Sequence, residues 1–133
     1  MTPDQVILLR AGFEKLRPMS DQAASLFYTR LFETDPQTRA LFKSPMPEQG
    51  RKLMATLASV INGIDEMHLM RPAVQSLGRR HHAYGVTKAH FEPVGAALEW
   101  MLERCLGEDF TPDARGAWRA AYDALADIMI RAE

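Results

Sequence analysis

At 133 residues, 47% of them hydrophobic, the chain has one domain's length and enough apolar side chains for a core, which excludes a disordered protein. Sixteen basic and 17 acidic side chains leave a net charge of −1, so there is no overall electrostatic footprint for DNA or RNA. The single cysteine, Cys105, excludes an internal disulfide and fits a reducing compartment. Its neighbours Leu98, Met101 and Leu102 point to a buried apolar thiol rather than a nucleophile.

The N-terminus has no basic region followed by a long apolar segment, and Val6-Ile7-Leu8-Leu9 falls far short of the ~20 residues that span a bilayer. A soluble cytoplasmic protein with no membrane contact is expected. Thr2-Pro3-Asp4-Gln5 supplies an N-cap threonine, a first-turn proline and a glutamine placed for a capping box. Val6, Leu9, Phe13 and Leu16 follow at helical period until Arg17-Pro18 stops them. Ser20-Asp21 starts a second helix with Ala24, Phe27, Tyr28 and Leu31 on its apolar face. Asp35-Pro36 opens a short turn of helix carrying Leu41 and Phe42, and Ser44-Pro45-Met46-Pro47 breaks the chain again.

A fourth helix carries Leu53, Met54, Leu57, Val60, Ile61 and Ile64. Residues 65–70 read as a loop, with Pro72 beginning the next helix and Gly85 supplying its left-handed end. Phe91, Val94, Leu98, Met101 and Cys105 mark a further helix closed by Gly107. Thr111-Pro112-Asp113 caps the last, with Trp118, Tyr122, Leu125 and Met129 on its buried face. No alternating run, repeat or low-complexity tract appears. The expectation is a single all-α domain over residues 1–133, of six to eight helices with short connections.

Among possible chemical groups, His81 stands out. It continues the stripe Val74, Leu77, His81, Tyr84 at steps of three and four, and a core-facing imidazole must find a partner. A satisfied structural histidine is the ordinary reading of such a residue. His82, about 100° away on a helix, falls with Gln75 and Arg79 on the polar face and reads as solvated. Zinc fails on inventory: Cys105 is alone, His68 falls in the expected loop, and Gly85 separates His90 from His81. No G-x-S-x-G elbow, dinucleotide fingerprint or P-loop is present.

A haem iron differs from zinc, because the porphyrin fills four coordination positions and one imidazole is enough. Its other face needs an apolar wall and a few donors. Gln49 and Leu53, four apart, share a helix face. Tyr28 reads either as such a donor or as a core tyrosine bonded to a backbone carbonyl.

Leu26-Phe27-Tyr28-Thr29-Arg30-Leu31-Phe32, then Asp35-Pro36 to Leu41-Phe42, then Gln49-Gly50-Arg51-Lys52-Leu53, resembles the globin domain of bacterial haemoglobins and flavohaemoglobins. Leu77-Gly78-Arg79-Arg80-His81-His82-Ala83-Tyr84-Gly85-Val86 resembles the proximal segment of the same group and of neuroglobin. Phe91-Glu92-Pro93-Val94-Gly95 and Ala117-Trp118-Arg119-Ala120-Ala121-Tyr122 extend the likeness along the chain. The resemblance implies a globin fold around a haem b, with His81 as the proximal iron ligand and Phe42 stacked on the porphyrin. It implies Tyr28 and Gln49 as the distal pair and Leu53 over the iron. Val86, Phe91 and Val94 would line the proximal side and rim, with Leu57, Leu77 and Tyr84 as further haem contacts. Lys52 or Arg80 would reach a propionate.

The implied function is reversible binding of O2, NO and CO, with O2 retained by the Tyr28–Gln49 donors. The alternatives are nitric oxide dioxygenation with a separate reductase, since no FAD and NAD domains follow in this chain, and a haem-free helical interaction module. Two departures from the flavohaemoglobin pattern stand out. The acid that supports the proximal histidine there corresponds to Glu133, the last residue, and its tyrosine partner is replaced by Phe91.

Overall fold

The computed structural model describes residues 1–132, which form six α-helices joined by 3-10 turns and contain no strand. α1 (Pro3–Leu16) opens on the capping box: Gln5 N–H donates to Thr2 Oγ1, and Thr2 N–H donates to Gln5 Oε1. Together these bonds satisfy two amides that a helix start would otherwise leave orphaned. A 3-10 turn at Arg17–Met19 then redirects the chain without a loop. α2 (Ser20–Thr34) follows at once and presents Ala23, Ala24, Phe27, Tyr28 and Leu31 to the interior.

Residues Pro36–Leu41 form a 3-10 turn, after which Phe42 is extended and Pro45 leads into α3 (Met46–Asn62). A second short turn, Ile64–Glu66, runs directly into α4 (Met67–Ala83). The stretch 65–70 is therefore not a loop, and Pro72 lies inside α4 rather than at its start. Inside a helix, proline removes the bond its own amide would make to His68 O and crowds that carbonyl with its ring. Met67 and Met70 meanwhile pack on the core, which offsets that loss. His68 sits in the first turn of this helix.

Gly85 ends α4 with a φ of +99°, a conformation glycine adopts without strain, and its N–H donates to His82 O at 3.1 Å. After a turn at Lys88–His90 come α5 (Phe91–Leu106) and α6 (Pro112–Arg131), the latter capped by Thr111 Oγ1 on the Ala114 amide.

The helices pack mainly as α2 on α5 and α3, with α1 and α4 on α6. The main core lies among α1, α2, α5 and α6, where Leu9, Leu16, Leu31, Met101 and Leu102 are fully buried. Each such side chain contributes about 1.5–3 kcal/mol of burial. A second, smaller cluster of Val74, Ile128 and Met129 lies where α4 meets α6. There the helices approach so closely that a Cβ on Gly78 would stand 2.7 Å from Met129 Cα and O. One turn on, His82 Nε2 lies 3.0 Å from Met129 O and its Nδ1 lies 3.3 Å from Val86 O. The residue expected to be solvated is exposed, and by donating from Nε2 to the nearer carbonyl it also ties α4 to α6. Among the described residues no helix is long and apolar enough to cross a membrane.

Candidate functional site

Two of the predicted groups are brought together by a helix crossing. Gly50 is buried where α3 crosses α2, and a Cβ there would meet Ala24 Cβ at 3.0 Å. One turn along α2 from Ala24 stands Tyr28, and next to Gly50 stands Gln49. The contact between them runs through the main chain: Tyr28 Oη donates to Gln49 O at 3.3 Å, a long hydrogen bond. Of the two roles open to Tyr28 from the sequence, this geometry is the bond to a backbone carbonyl. Burial pushes its phenol up to about 12, so the hydroxyl stays a neutral donor across ordinary pH. Phe42 meets the ring edge-on with centroids 5.1 Å apart, and Phe32 stacks at 5.9 Å, which fixes its orientation.

On α4, His81 is half-buried and its Nδ1 lies 2.7 Å from Leu77 O. A carbonyl can only accept, so Nδ1 carries the proton and Nε2 carries the lone pair. That is the tautomer a metal-ligating histidine needs, held by the helix's own backbone. The His81 carbonyl in turn accepts the Val86 N–H at 3.0 Å, which draws Val86 back beside the histidine. The start of α5 is fixed from α6, where Tyr122 Oη donates to Phe91 O.

The predicted apolar residues separate into two walls. Phe42, Leu53, Leu57 and Val94 attach to the main core, whereas Leu77 and Phe91 attach to the small α4–α6 cluster. All six are only half-buried, as are Gln49 and Val86. Leu53 and Leu57 come from α3, Leu77 from α4, and Val94 and Phe91 from the first turn of α5, and α3 and α4 make at most fringe contact with each other. Lys52 and Arg80 are exposed, with Lys52 Nζ 3.8 Å from Glu48 Oε1. Tyr84 departs from its stripe: it is the residue after the last turn of α4 and is 64% exposed. Glu133 lies outside the described residues.

A groove of about 620 Å³ lies elsewhere, between α5 and α6, lined by Leu98, Leu102, Phe110 and Trp118. Part of its charged rim is self-paired, with Arg115 and Arg119 both on Glu99. Among the described residues no three His, Cys, Asp or Glu side chains converge on a metal position. A metal held by His81 must therefore bring its other ligands with it.

Residues 25–129 match the family model described as Globin. The chain belongs to the globin family. It is 30% identical to the flavohemoprotein of Bordetella parapertussis over its whole length, which is 34% of that protein. It therefore spans about a third of such relatives. It is also 30% identical to the neuroglobin of Danio rerio, covering 93% of this chain and 87% of that one.

Among solved structures, an engineered carbene transferase from Rhodothermus marinus, whose parent is a candidate nitric oxide dioxygenase, superposes with a TM-score of 0.84 at 30% identity. That match covers 97% of this chain and 90% of the other. A bacterial globin from Campylobacter jejuni gives 0.85 at 23% identity, over 97% and 94% of the two chains.

Globins are haem-binding proteins, and this globin's residues fit that group. It offers one imidazole whose Nδ1 is engaged by Leu77 O, half-buried apolar side chains from α3, α4 and α5, and exposed cationic side chains on α3 and α4. Phe32, Gly78, His82 and Tyr122 also build the site and were not singled out from the sequence for it. Gly78, His82 and Tyr122 have partners on other helices, and His82 meets Met129 across 47 residues, beyond any local pattern, whereas Phe32 meets Tyr28 one turn away on α2.

Proposed function

We propose that this globin binds one haem b with His81 Nε2 as its protein ligand, and that its function is reversible binding of O2 and other diatomic molecules, NO and CO. When bound, the haem supplies the iron at which a diatomic molecule coordinates and gains negative charge. Everything else falls to the chain. Phe42, Leu53, Leu57, Leu77, Val86, Phe91 and Val94 exclude water from both faces, and Tyr84 covers an edge. Lys52 or Arg80 pairs with a propionate.

Tyr28 and Gln49 supply the distal donors. The 3.3 Å bond from Tyr28 Oη to a neutral carbonyl is weak enough to be given up for an acceptor with partial charge. In a dry pocket, a phenol and an amide together contribute about 1–3 kcal/mol to retention of a polar ligand.

The observation that carries the proposal is the Nδ1–Leu77 bond, which leaves Nε2 of the half-buried His81 imidazole as the lone-pair donor. The test is titration of the purified protein with hemin, followed by reduction and exposure to O2 and CO. A Soret band that moves with each ligand, and is weakened or relocated in His81→Ala, is the expected result. A colourless protein that ignores hemin would favour the haem-free interaction module.

A second reading, nitric oxide dioxygenation, draws on the flavohemoprotein relatives and on the Tyr28–Gln49 adjacency. Conversion of NO and O2 to nitrate consumes one electron per turnover, so this role needs an electron donor, which we propose to be a reductase. Sustained nitrate production with such a donor would distinguish it from O2 carriage or storage. We place this activity in the cytoplasm and read residues 1–133 as one globin domain.

A further inference from the structure

One aromatic ring outside the proposed haem site carries two cations. Trp100, half-buried on α5, has the Arg104 guanidinium 3.6 Å from its ring centroid and the Arg30 guanidinium, from α2, at 5.1 Å. Each contact is favourable, because the face of an indole is electron-rich. Together they hold two like charges within about 9 Å of each other, the most that the two distances to one centroid allow. Little offsets that repulsion. Glu33 Oε2 stands 4.0 Å from Arg30, the outer limit of an ion pair. Among the described residues Arg104 has no acidic partner. The two guanidiniums therefore keep N–H groups for an anion, and the shared ring holds them in place before it arrives.

The chain leaves room beside them. A groove of about 340 Å³ runs between α2 and α5, with Arg30 and Trp100 at one end and Glu92 at the other. Glu92 lies eight residues before Trp100, so the two ends stand about 12 Å apart at the helical rise of about 1.5 Å per residue. The floor between them is Pro93, Ala96 and Ala97, small side chains that do not fill the space. Thr34 lines the α2 side, but its hydroxyl donates to Arg30 O at 3.0 Å and offers the groove no proton. Glu92 is exposed and forms no ion pair among the described residues. The groove is thus cationic at one end, apolar along its floor and anionic at the far end.

We propose that this groove binds an organic monoanion, a carboxylate carried on an apolar body of one or two rings. The carboxylate accepts from the Arg30 and Arg104 guanidiniums, and the body lies along Pro93, Ala96 and Ala97. A volume of about 340 Å³ sits at the small end of the range for ligand sites, which suits such a body. Inorganic phosphate would satisfy the arginines and leave the floor empty. A dicarboxylate would set its second charge against Glu92. The site shares no residue with those proposed to hold the haem, so it stands apart from that reading.

The test is calorimetric titration of the full chain with 2-naphthoate, before and after hemin is added. One site of the same affinity in both states is expected. Arg30→Gln/Arg104→Gln should weaken binding by about tenfold or more, while Arg71→Gln/Arg79→Gln, with the same change in net charge on α4, should weaken it less than about twofold. 2-Naphthylmethylammonium, the same body with the opposite charge, should bind at least about tenfold more weakly than 2-naphthoate. 2,6-Naphthalenedicarboxylate should also bind more weakly than 2-naphthoate, and Glu92→Gln should remove that difference.

Equal losses in the two double variants, or equal binding of the ammonium, would overturn the proposal. So would loss of 2-naphthoate binding on addition of hemin, which would place the ligand beside His81 instead. Inorganic phosphate competing as well as 2-naphthoate itself would reduce the site to a bare pair of arginines and refute the apolar body.

Discussion

Gly78→Ala isolates what holds the proposed iron ligand in place. On an exposed helix face this change would stabilise the protein by about 1 kcal/mol through helix propensity. At Gly78 the new Cβ would stand 2.7 Å from Met129 Cα and Met129 O, whereas ordinary contact begins at 3.4 Å. α4 or α6 must therefore retreat by about 0.7 Å, and because both clashing atoms are backbone, no rotamer change can absorb it. Overpacking of this kind costs about 1–3 kcal/mol, so with the propensity gain subtracted the net expectation is a loss of about 0–2 kcal/mol.

The shift would also stretch the His82–Met129 bond, already at 3.0 Å, and displace His81 three residues away. Urea unfolding should show a lower midpoint at unchanged slope, and hemin affinity should drop by about tenfold or less. A variant more stable than the parent by about 1 kcal/mol, with hemin affinity intact, would refute the packing argument.

Tyr28→Phe removes the phenol but keeps its ring contacts with Phe32 and Phe42. O2 release should speed up by roughly tenfold to hundredfold, and CO release far less, because bound CO carries less charge; flash photolysis and ligand replacement measure both rates, and equal effects would remove Tyr28 from its donor role. Tyr28 also predicts a pH dependence. Its folded phenol is raised to about 12 from an ordinary 10.0, so the unfolded chain ionises first. The stability this residue contributes is complete below pH 10 and is lost as pH rises from there through about 12. The 295 nm absorbance difference between parent and Tyr28→Phe should show a phenolate appearing near pH 12, and ionisation near 10 would contradict its burial.

What could be read from the sequence is what local chemistry decides. The Thr2–Gln5 box, the Thr111 cap and the positive φ angles of Gly85 and Gly107 each follow from residues within one turn. The helical stripes marked most of the core for the same reason. Where tertiary packing competes with a local signal, the reading failed. Pro72 announced a helix start, but the helix begins five residues earlier because Met67 and Met70 pack against the core. Tyr84 continued a stripe in register, yet the helix ends at Ala83 and leaves it exposed. The Tyr28 acceptor was unreadable in principle, since a main-chain carbonyl on another helix carries no sequence signature.

The division of the apolar interior into two clusters has a thermodynamic consequence. Beyond Met67 and Met70, which reach the main core, α4 rests on a satellite of three buried residues, Val74, Ile128 and Met129. A unit held by so little buried surface opens at a lower free energy than the rest, so its amides should exchange first. A flat apolar molecule bound between α3 and α4 would bridge the two clusters and couple their opening into one event. Order in α4 and occupancy of the cleft then become a single equilibrium, and the concentration of free haem sets how cooperatively the whole chain unfolds.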